Sequence, residues 1–241
     1  LDNQPRGSKQ FRGSAGVLGR AILDLRQWAG RARGNGSSAP NGASATPPEK
    51  IKTLPGFKVE LLYAPAKTNE GSWVSLCADP KGRLYASGQY DEGLFRITPP
   101  SAGENAAATR VEKLPVQLSS AQGLCWAFDS LYALVTKNAK TPSGLYRVRD
   151  TDGDDLPDKV ELLRALEGGG DHGWHSVLPT PDGQALCVVA GNNTTAPKLS
   201  ASRVPPHWSE DHLLPRLPDA GGHMKGVLAP GGTLYRVSPD G

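Results

Sequence analysis

The sequence has 241 residues, enough for one large domain or for a smaller domain with appendages. Its hydrophobic share is 37%, and it contains 29 glycines and 21 prolines. That composition is too rich in turn formers for a helical bundle and too hydrophobic for a wholly disordered chain. No apolar run approaches the roughly 18 residues of a bilayer crossing, so no membrane span is predicted. Many short β-strands are expected instead.

The net charge of +3 is unevenly distributed along the chain. Residues 1–50 contain eight Lys and Arg against three Asp and Glu, whereas the remaining residues contain 19 against 21. The body of the protein is therefore slightly acidic, and it has no basic run that would neutralise a row of phosphates. We expect no nucleic-acid partner.

The basic N-terminal region, residues 1–50, is predicted to be a disordered tail and linker. Its last part is rich in Gly, Ser and Pro, the composition of a flexible connection. A short amphipathic basic helix over residues 17–33 is the alternative for its middle part. The folded domain is predicted over residues 51–241, and the alternation over residues 57–63 predicts its first strand.

A pattern of strand, tight turn, strand and a Gly-Leu-aromatic-Arg strand occurs three times after residue 70. Gly93 and Gly144 occupy matching places 51 residues apart, and Gly82 and Gly183 do so 101 residues apart. Units of about 40–50 residues with four short strands each are typical of β-propeller blades. The sequence therefore predicts an all-β propeller. Because about three units are present and propellers typically have about 4–8 blades, the ring is expected to be truncated in this chain.

The acidic stretch over residues 150–161 has the spacing of a calcium-binding loop. Counted from its first residue, it offers carboxylates at positions 1, 3, 5, 9 and 12 and a backbone carbonyl at position 7, the ligand positions of such loops. The predicted ligands are Asp150, Asp152, Asp154, Leu156, Asp158 and Glu161. Position 6, usually Gly, is Asp155, and the flanking segments are strand-like. The alternative is a solvated acidic hairpin tip held by Asx turns and by Arg147, Arg149 and Lys159.

A second group of chemically capable residues lies in the glycine-rich stretch over residues 168–175. It contains Asp171, His172, Trp174 and His175 and leads into a strand that ends at a Pro-Asp-Gly turn. Such a loop is expected to be flexible and to lie at the mouth of a propeller channel, where a ligand binds. Histidine accepts a proton near neutral pH, so these residues are candidates for acid–base chemistry. A hydrogen-bonded loop histidine is the alternative for either one.

These motifs together resemble the pyrroloquinoline-quinone (PQQ)-dependent soluble glucose/sorbosone dehydrogenases. The likeness is greatest to the large exported planctomycete-type branch that is described as membrane-bound dehydrogenases and often carries a C-terminal haem domain. It covers roughly residues 48–241. The residues that carry it lie at 55–61, 79–84, 144–155, 172–175, 191–192, 220–223 and 229–232.

The resemblance implies a six-bladed propeller of which this chain is the N-terminal half. It implies that His172 is the base that removes a proton from a sugar or alcohol substrate, that Asp171 and His175 are its orienting neighbours at the cofactor, and that Gln122 contacts the quinone. Cationic contacts to the quinone would come from later blades, and a haem group or cytochrome would accept the electrons. The resemblance also implies a periplasmic or other extracytoplasmic location.

A non-enzymatic propeller is the competing prediction. It would keep the scaffold and the calcium loop, lack redox chemistry, and bind a carbohydrate or a protein partner. Trp73, Trp126, Trp174 and Trp208 would suit sugar rings if they lined one mouth, although Trp73 and Trp126 lie in strand patterns that favour core packing.

Overall fold

The structure is a computed structural model, and it describes residues 45–66, 69–136, 140–191, 193–203 and 232–241. Most of the predicted basic tail, residues 1–44, lies outside this part, as do two stretches that carry the resemblance, residues 220–223 and 229–231. Within the described ranges, no helix is long and apolar enough to cross a membrane.

The fold is all-β, as the composition and the repeat predict. Three short 3₁₀ turns accompany eleven strands in the described residues. The strands are β1 (Trp73–Ala78), β2 (Leu84–Gly88), β3 (Leu94–Thr98), β4 (Arg110–Lys113), β5 (Ala121–Ala127), β6 (Ser130–Val135), β7 (Gly144–Arg149), β8 (Lys159–Ala165), β9 (Trp174–Pro179), β10 (Leu186–Ala190) and β11 (Thr233–Val237).

The strands form three antiparallel sheets, each of which follows the chain as an up-and-down meander. The first sheet is β1 to β4, the second is β5 to β8, and the third is β9 to β11. The first strands of neighbouring sheets lie side by side, since β1 contacts β5 and β5 contacts β9. The repeat seen in the sequence is thus a repeat of whole sheets, and the first strand of one sheet lies against the first strand of the next.

Apolar residues from facing sheets form the core. Between the first and second sheets, Tyr85 and Leu94 pack with Leu131 and Val148. Tyr132 and Leu145 of the second sheet are the counterparts of Tyr85 and Leu94 in the first. They face the third sheet and pack with a cluster that includes Trp174 and Leu186. The second sheet therefore offers one face to the first sheet and the opposite face to the third.

The outward face of the third sheet is open in the described structure. By strand register, Leu234 of the third sheet is the equivalent of Leu94 of the first and Leu145 of the second. Leu234 pairs with Val189, Leu94 with Ser87 and Leu145 with Leu134, and these three partners occupy the same place in the second strand of each sheet. Leu94 and Leu145 are 0% and 1% exposed, whereas Leu234 is 68% exposed. Burial at this position is therefore set by the presence of a following sheet.

One strand prediction is wrong and one strand was missed. Residues 57–63 alternate as a strand would, but the structure gives them no strand pairing. Alternation predicts a half-buried face and cannot supply the neighbouring edge that a strand needs. The missed strand is β4, whose four residues are mostly exposed and carry three charges, so that it has little apolar pattern.

Candidate functional site

The histidine loop, residues 168–175, is held mainly by backbone hydrogen bonds to the chain that follows β10. Gly191 N–H donates to the Gly173 carbonyl at 2.7 Å, and Asn193 N–H donates to the His172 carbonyl at 2.8 Å. The Asn193 side-chain amide donates to the Gly169 carbonyl at 2.8 Å. The loop is thus fastened along its length, which differs from the flexible loop expected from its glycines.

Glycine is required where these two segments meet. A Cβ atom on Gly191 would collide with the His172 carbonyl group, whose carbon would lie 2.6 Å away. The 3₁₀ turn Gly170–His172 precedes β9 directly, so His172 stands at the entrance of the first strand of the third sheet. It is partly buried, and so is His175. The backbone of Asp171 lies in the same turn, and its side chain is outside the described part of the structure.

Gln122 and His175 occupy equivalent β-bulges in neighbouring strands. The register of β5 slips between Ala121 and Gly123, which leaves Gln122 as the extra residue. The register of β9 slips in the same way around His175. Strand β1 slips at the matching place, between Trp73 and Ser75, so the bulge is a repeated feature of the first strands, and Gln122 and His175 are its extra residues in β5 and β9.

A close approach of β5 and β9 brings the two bulges together. A Cβ atom on Gly123 would lie 2.7 Å from the His175 carbonyl oxygen, so the residue after Gln122 touches the backbone of His175. The structure therefore places Gln122, His175 and the turn that contains His172 at one end of adjacent first strands.

The three tryptophans of this group that the structure describes, Trp73, Trp126 and Trp174, do not form a shared surface. Trp174 is fully buried, lies 5.6 Å from Tyr235 between ring centroids, and donates its indole N–H to the Glu167 carbonyl. Trp73 and Trp126 pack against the clusters of the first sheet and of the first interface. Trp208 lies outside the described residues. An aromatic platform made of these side chains is thus not what the described structure contains.

The acidic loop lies between β7 and β8 and brings three of its predicted ligands together. Carboxylate oxygens of Asp150, Asp152 and Asp154 lie within 4.8 Å of one another, and all three residues are exposed. Two ligands on one Ca²⁺ ion, each about 2.4 Å away, are separated by no more than about 4.8 Å, so the spacing fits one cation. The same carboxylates accept backbone N–H groups within the loop, as in Asx turns, including Gly153 to Asp150 at 2.7 Å.

Two of the other predicted ligands, Asp158 and Glu161, are paired with residues outside this aspartate group. Asp158 binds the N–H and the hydroxyl of Thr151, and the hydroxyl hydrogen bond is the main reason that its pKa is lowered. Glu161 lies on β8 and binds Arg147 at 3.0 Å, which lowers its pKa. The Leu156 N–H donates to Asp154 at 2.8 Å. Arg147 and Arg149 both approach Glu161 on β8, at 3.0 and 3.4 Å.

Asp155, the unusual residue at position 6 of the loop, connects the second sheet to the first. Its backbone has φ +71°, the conformation for which Gly is usually present at this position. Its carboxylate binds Lys81 at 2.7 Å and Arg83 at 2.5 Å, and these two hydrogen bonds lower its pKa to about 2. Its carbonyl accepts from Arg96. The side chain of Asp155 thus ties the loop to the preceding sheet.

Sequence reasoning did not find Asp155 as an inter-sheet contact or the equivalence of the two bulges. The departure of position 6 from glycine was the one signal available for Asp155. The bulges have no local sequence signal, because they appear only when strand register is known.

No protein-family model matches this chain, and no curated protein matches it at a significant level. The family resemblance therefore depends on the motifs themselves.

Proposed function

We propose that the chain provides three blades of a β-propeller of the quinoprotein sugar or alcohol dehydrogenase type, six-bladed when complete. The observation that carries the proposal is the grouping of Gln122, His175 and the His172 turn at one end of adjacent first strands. Three successive meanders with neighbouring first strands support the propeller, since blades are arranged in this way around an axis.

In this proposal His172 accepts the proton of the substrate hydroxyl. Imidazole is the side chain most often used as a general base near neutral pH, and the fastened loop holds it at a fixed place. The quinone, when bound, supplies the oxidising chemistry by accepting a hydride. Because the loop is anchored by backbone bonds, the position of His172 does not depend on its own side chain.

The residues around the bulges fit part of such a cofactor. The Gln122 amide and the His175 imidazole offer hydrogen-bonding groups for quinone oxygens. The carboxylates of the quinone need cations as well, and the resemblance assigns these to other blades. Asp171 is proposed beside His172 on the strength of the resemblance. Electrons would pass to a haem group or cytochrome, in a periplasmic or other extracytoplasmic setting.

Calcium is the proposed ligand of the acidic loop, held by Asp150, Asp152 and Asp154. Neutralising three exposed carboxylates would fix the end of the β7–β8 hairpin, whose neighbour Asp155 ties it to the first sheet. The role is structural, because the described residues near the loop include no nucleophile or base placed for chemistry. Addition of a chelator is expected to lower the melting temperature, and an unchanged melting temperature would remove calcium from the proposal.

Reconstitution of the full-length protein, with all of its blades, with PQQ and calcium tests the enzymatic function. Quinone binding is followed by calorimetry and oxidation of a sugar and alcohol panel by reduction of a dye. Substitution His172→Ala is expected to abolish oxidation while quinone binding persists, and His207→Ala is the matched control. Full activity in the His172 variant would contradict the role of this residue. A protein that binds glycans or a protein partner but no quinone would favour the non-enzymatic propeller.

A further inference from the structure

The bulges of β5 and β9 are each bonded by a hydroxyl group from the preceding sheet. The Ser87 hydroxyl, near the end of β2, donates to the Ala121 carbonyl at the start of β5. The Thr136 hydroxyl, directly after β6, donates to the Trp174 carbonyl at the start of β9, with 3.0 Å between the two oxygens. Ala121 and Trp174 are equivalent residues, because each immediately precedes the extra residue of its bulge, Gln122 or His175. The two bulges are thus fixed at the same carbonyl.

Both hydroxyl groups are buried. Ser87 is 0% exposed and Thr136 is 7% exposed. Each supplies its carbonyl with a donor from outside its own sheet, at the point where the bulge interrupts the regular ladder. A variant that lacks the hydroxyl would leave this buried carbonyl without that donor, which is costly away from water.

Thr136 also holds the segment that leads into β5. Its backbone N–H donates to the Ser120 carbonyl at 3.1 Å, and the Ser120 N–H donates to the Tyr90 carbonyl at 2.8 Å. Ser120 has φ +55°, an unfavourable conformation for a residue other than glycine, and it lies two positions before Gln122. Such a conformation persists only where the surrounding contacts determine it. Thr136 therefore contacts the entry segments of both bulged strands, one through its N–H and the other through its hydroxyl.

A shift of either carbonyl would move a candidate cofactor contact. Trp174 is fully buried and donates its indole N–H to the Glu167 carbonyl, so it has little freedom to turn independently of His175. Gly123, which follows Gln122, approaches the backbone of His175 closely. The two bulges therefore form one unit, and the two hydroxyl groups bond it to the preceding sheets.

We propose that Ser87 and Thr136 are positioning residues for the quinone site. Ser87 fixes Gln122, and Thr136 fixes His175 and, through Ser120, Gln122 as well. Both act through the bulges and not by touching the quinone. Groups that bind a cofactor must be held closely in place, and hydrogen bonds behind them do this. The inference deepens the proposed function and rests on it for the identity of the bound molecule.

Calorimetric titration of the full-length protein with PQQ is the first test. Thr136→Val and Ser87→Ala remove one hydroxyl each, and each is expected to weaken quinone binding by about tenfold, because the bulge that carries a contact is displaced. Thr136→Ser keeps the hydroxyl and is expected to bind quinone within about twofold of the original protein. Ser130→Ala is the matched control. Its buried hydroxyl bonds to the Phe128 carbonyl at the opposite end of β5 and β6, and its loss is expected to leave the quinone affinity unchanged.

Hydrogen exchange without quinone is the second test. Thr136→Val is expected to increase backbone exchange at both bulges, residues 121–123 and 174–176, whereas Ser87→Ala is expected to do so at residues 121–123 alone. Ser130→Ala is expected to change neither. A general loss of stability would not give this pattern, because it would act on the three variants alike.

Unchanged exchange at both bulges would overturn the inference, and so would an unchanged quinone affinity in a protein that binds quinone. An equal loss in Thr136→Ser would also overturn it, since the hydroxyl is retained there. If the original protein binds no quinone, the redox proposal fails. The exchange pattern then decides by itself whether the two hydroxyl groups position the bulges.

Discussion

Strands β7 and β11 carry the same four residues in two different environments. In β7 the leucine and arginine face the third sheet, and Leu145 is 1% exposed. In β11 the equivalent face is open, and Leu234 is 68% exposed. The comparison teaches that local sequence specifies the strand and its register, whereas the following sheet determines how much each side chain contributes to stability.

The largest expected difference between the two strands concerns their leucines. Leu145→Ala should lower the free energy of unfolding by about 3 kcal/mol, because it leaves a cavity between two packed sheets. Leu234→Ala should cost less than about 0.5 kcal/mol in dilute, monomeric protein, because its side chain is in water. Urea denaturation of both variants measures the difference. Equal losses would mean that the third sheet is already covered.

The stability of the third sheet depends on the backbone contacts between the histidine loop and the segment after β10. A substitution at Gly191 tests these contacts. Gly191→Ala should cost about 2–3 kcal/mol, because the new methyl group meets the His172 carbonyl and the backbone must shift. Gly232→Ala is the matched control, since its nearest neighbour lies 3.4 Å from the added carbon. Hydrogen exchange at residues 169–173 should increase in the first variant alone. Unchanged exchange there would contradict the fastening of the histidine loop.

Replacing Arg147 should also lower the free energy of unfolding more than replacing Arg236, by a smaller difference than that between the two leucines. Arg147 binds Glu161 within its sheet and Asp240 after β11, and its side chain is largely buried. Arg147→Ala should cost about 1–2 kcal/mol, because two carboxylates lose a charged partner. Arg236 has an exposed pair with Asp182, so Arg236→Ala should cost at most about 0.5 kcal/mol in the monomer. Thermal denaturation at low protein concentration compares the two variants. A greater loss of stability in Arg236→Ala would contradict the comparison of β7 with β11.

Much of the fold was predictable because its signals are local. The turns and the Gly-Leu-aromatic-Arg strands recur with a period near 50 residues, and the three sheets follow that repeat. The strand predicted at residues 57–63 failed for a reason that is not local, since a strand also needs a free edge within reach. The bulges at Gln122 and His175 depend on register, so the candidate site was predictable as a set of residues and not as a geometry.

The smallest expected effect concerns the contact between the second sheet and the first. The pKa of Asp155 is lowered to about 2 by Lys81 and Arg83, whereas an unfolded aspartate titrates near 4. A carboxylate with a depressed pKa stabilises the fold above its unfolded pKa, and this contribution is lost as the pH falls through the folded value. Asp155→Asn should therefore cost about 1 kcal/mol or less near neutral pH, because the pair is half exposed to solvent.

The difference between Asp155→Asn and the original protein should shrink between about pH 4 and pH 2, where the carboxylate takes up its proton. Added salt should also reduce it, since the charges are partly exposed. Asparagine tolerates the positive φ at this position and leaves the carbonyl that accepts from Arg96, so the substitution isolates the charge. Urea denaturation as a function of pH measures the effect. A difference that is as large at pH 2 as at pH 7 would show that the substitution acts other than through the charge of Asp155.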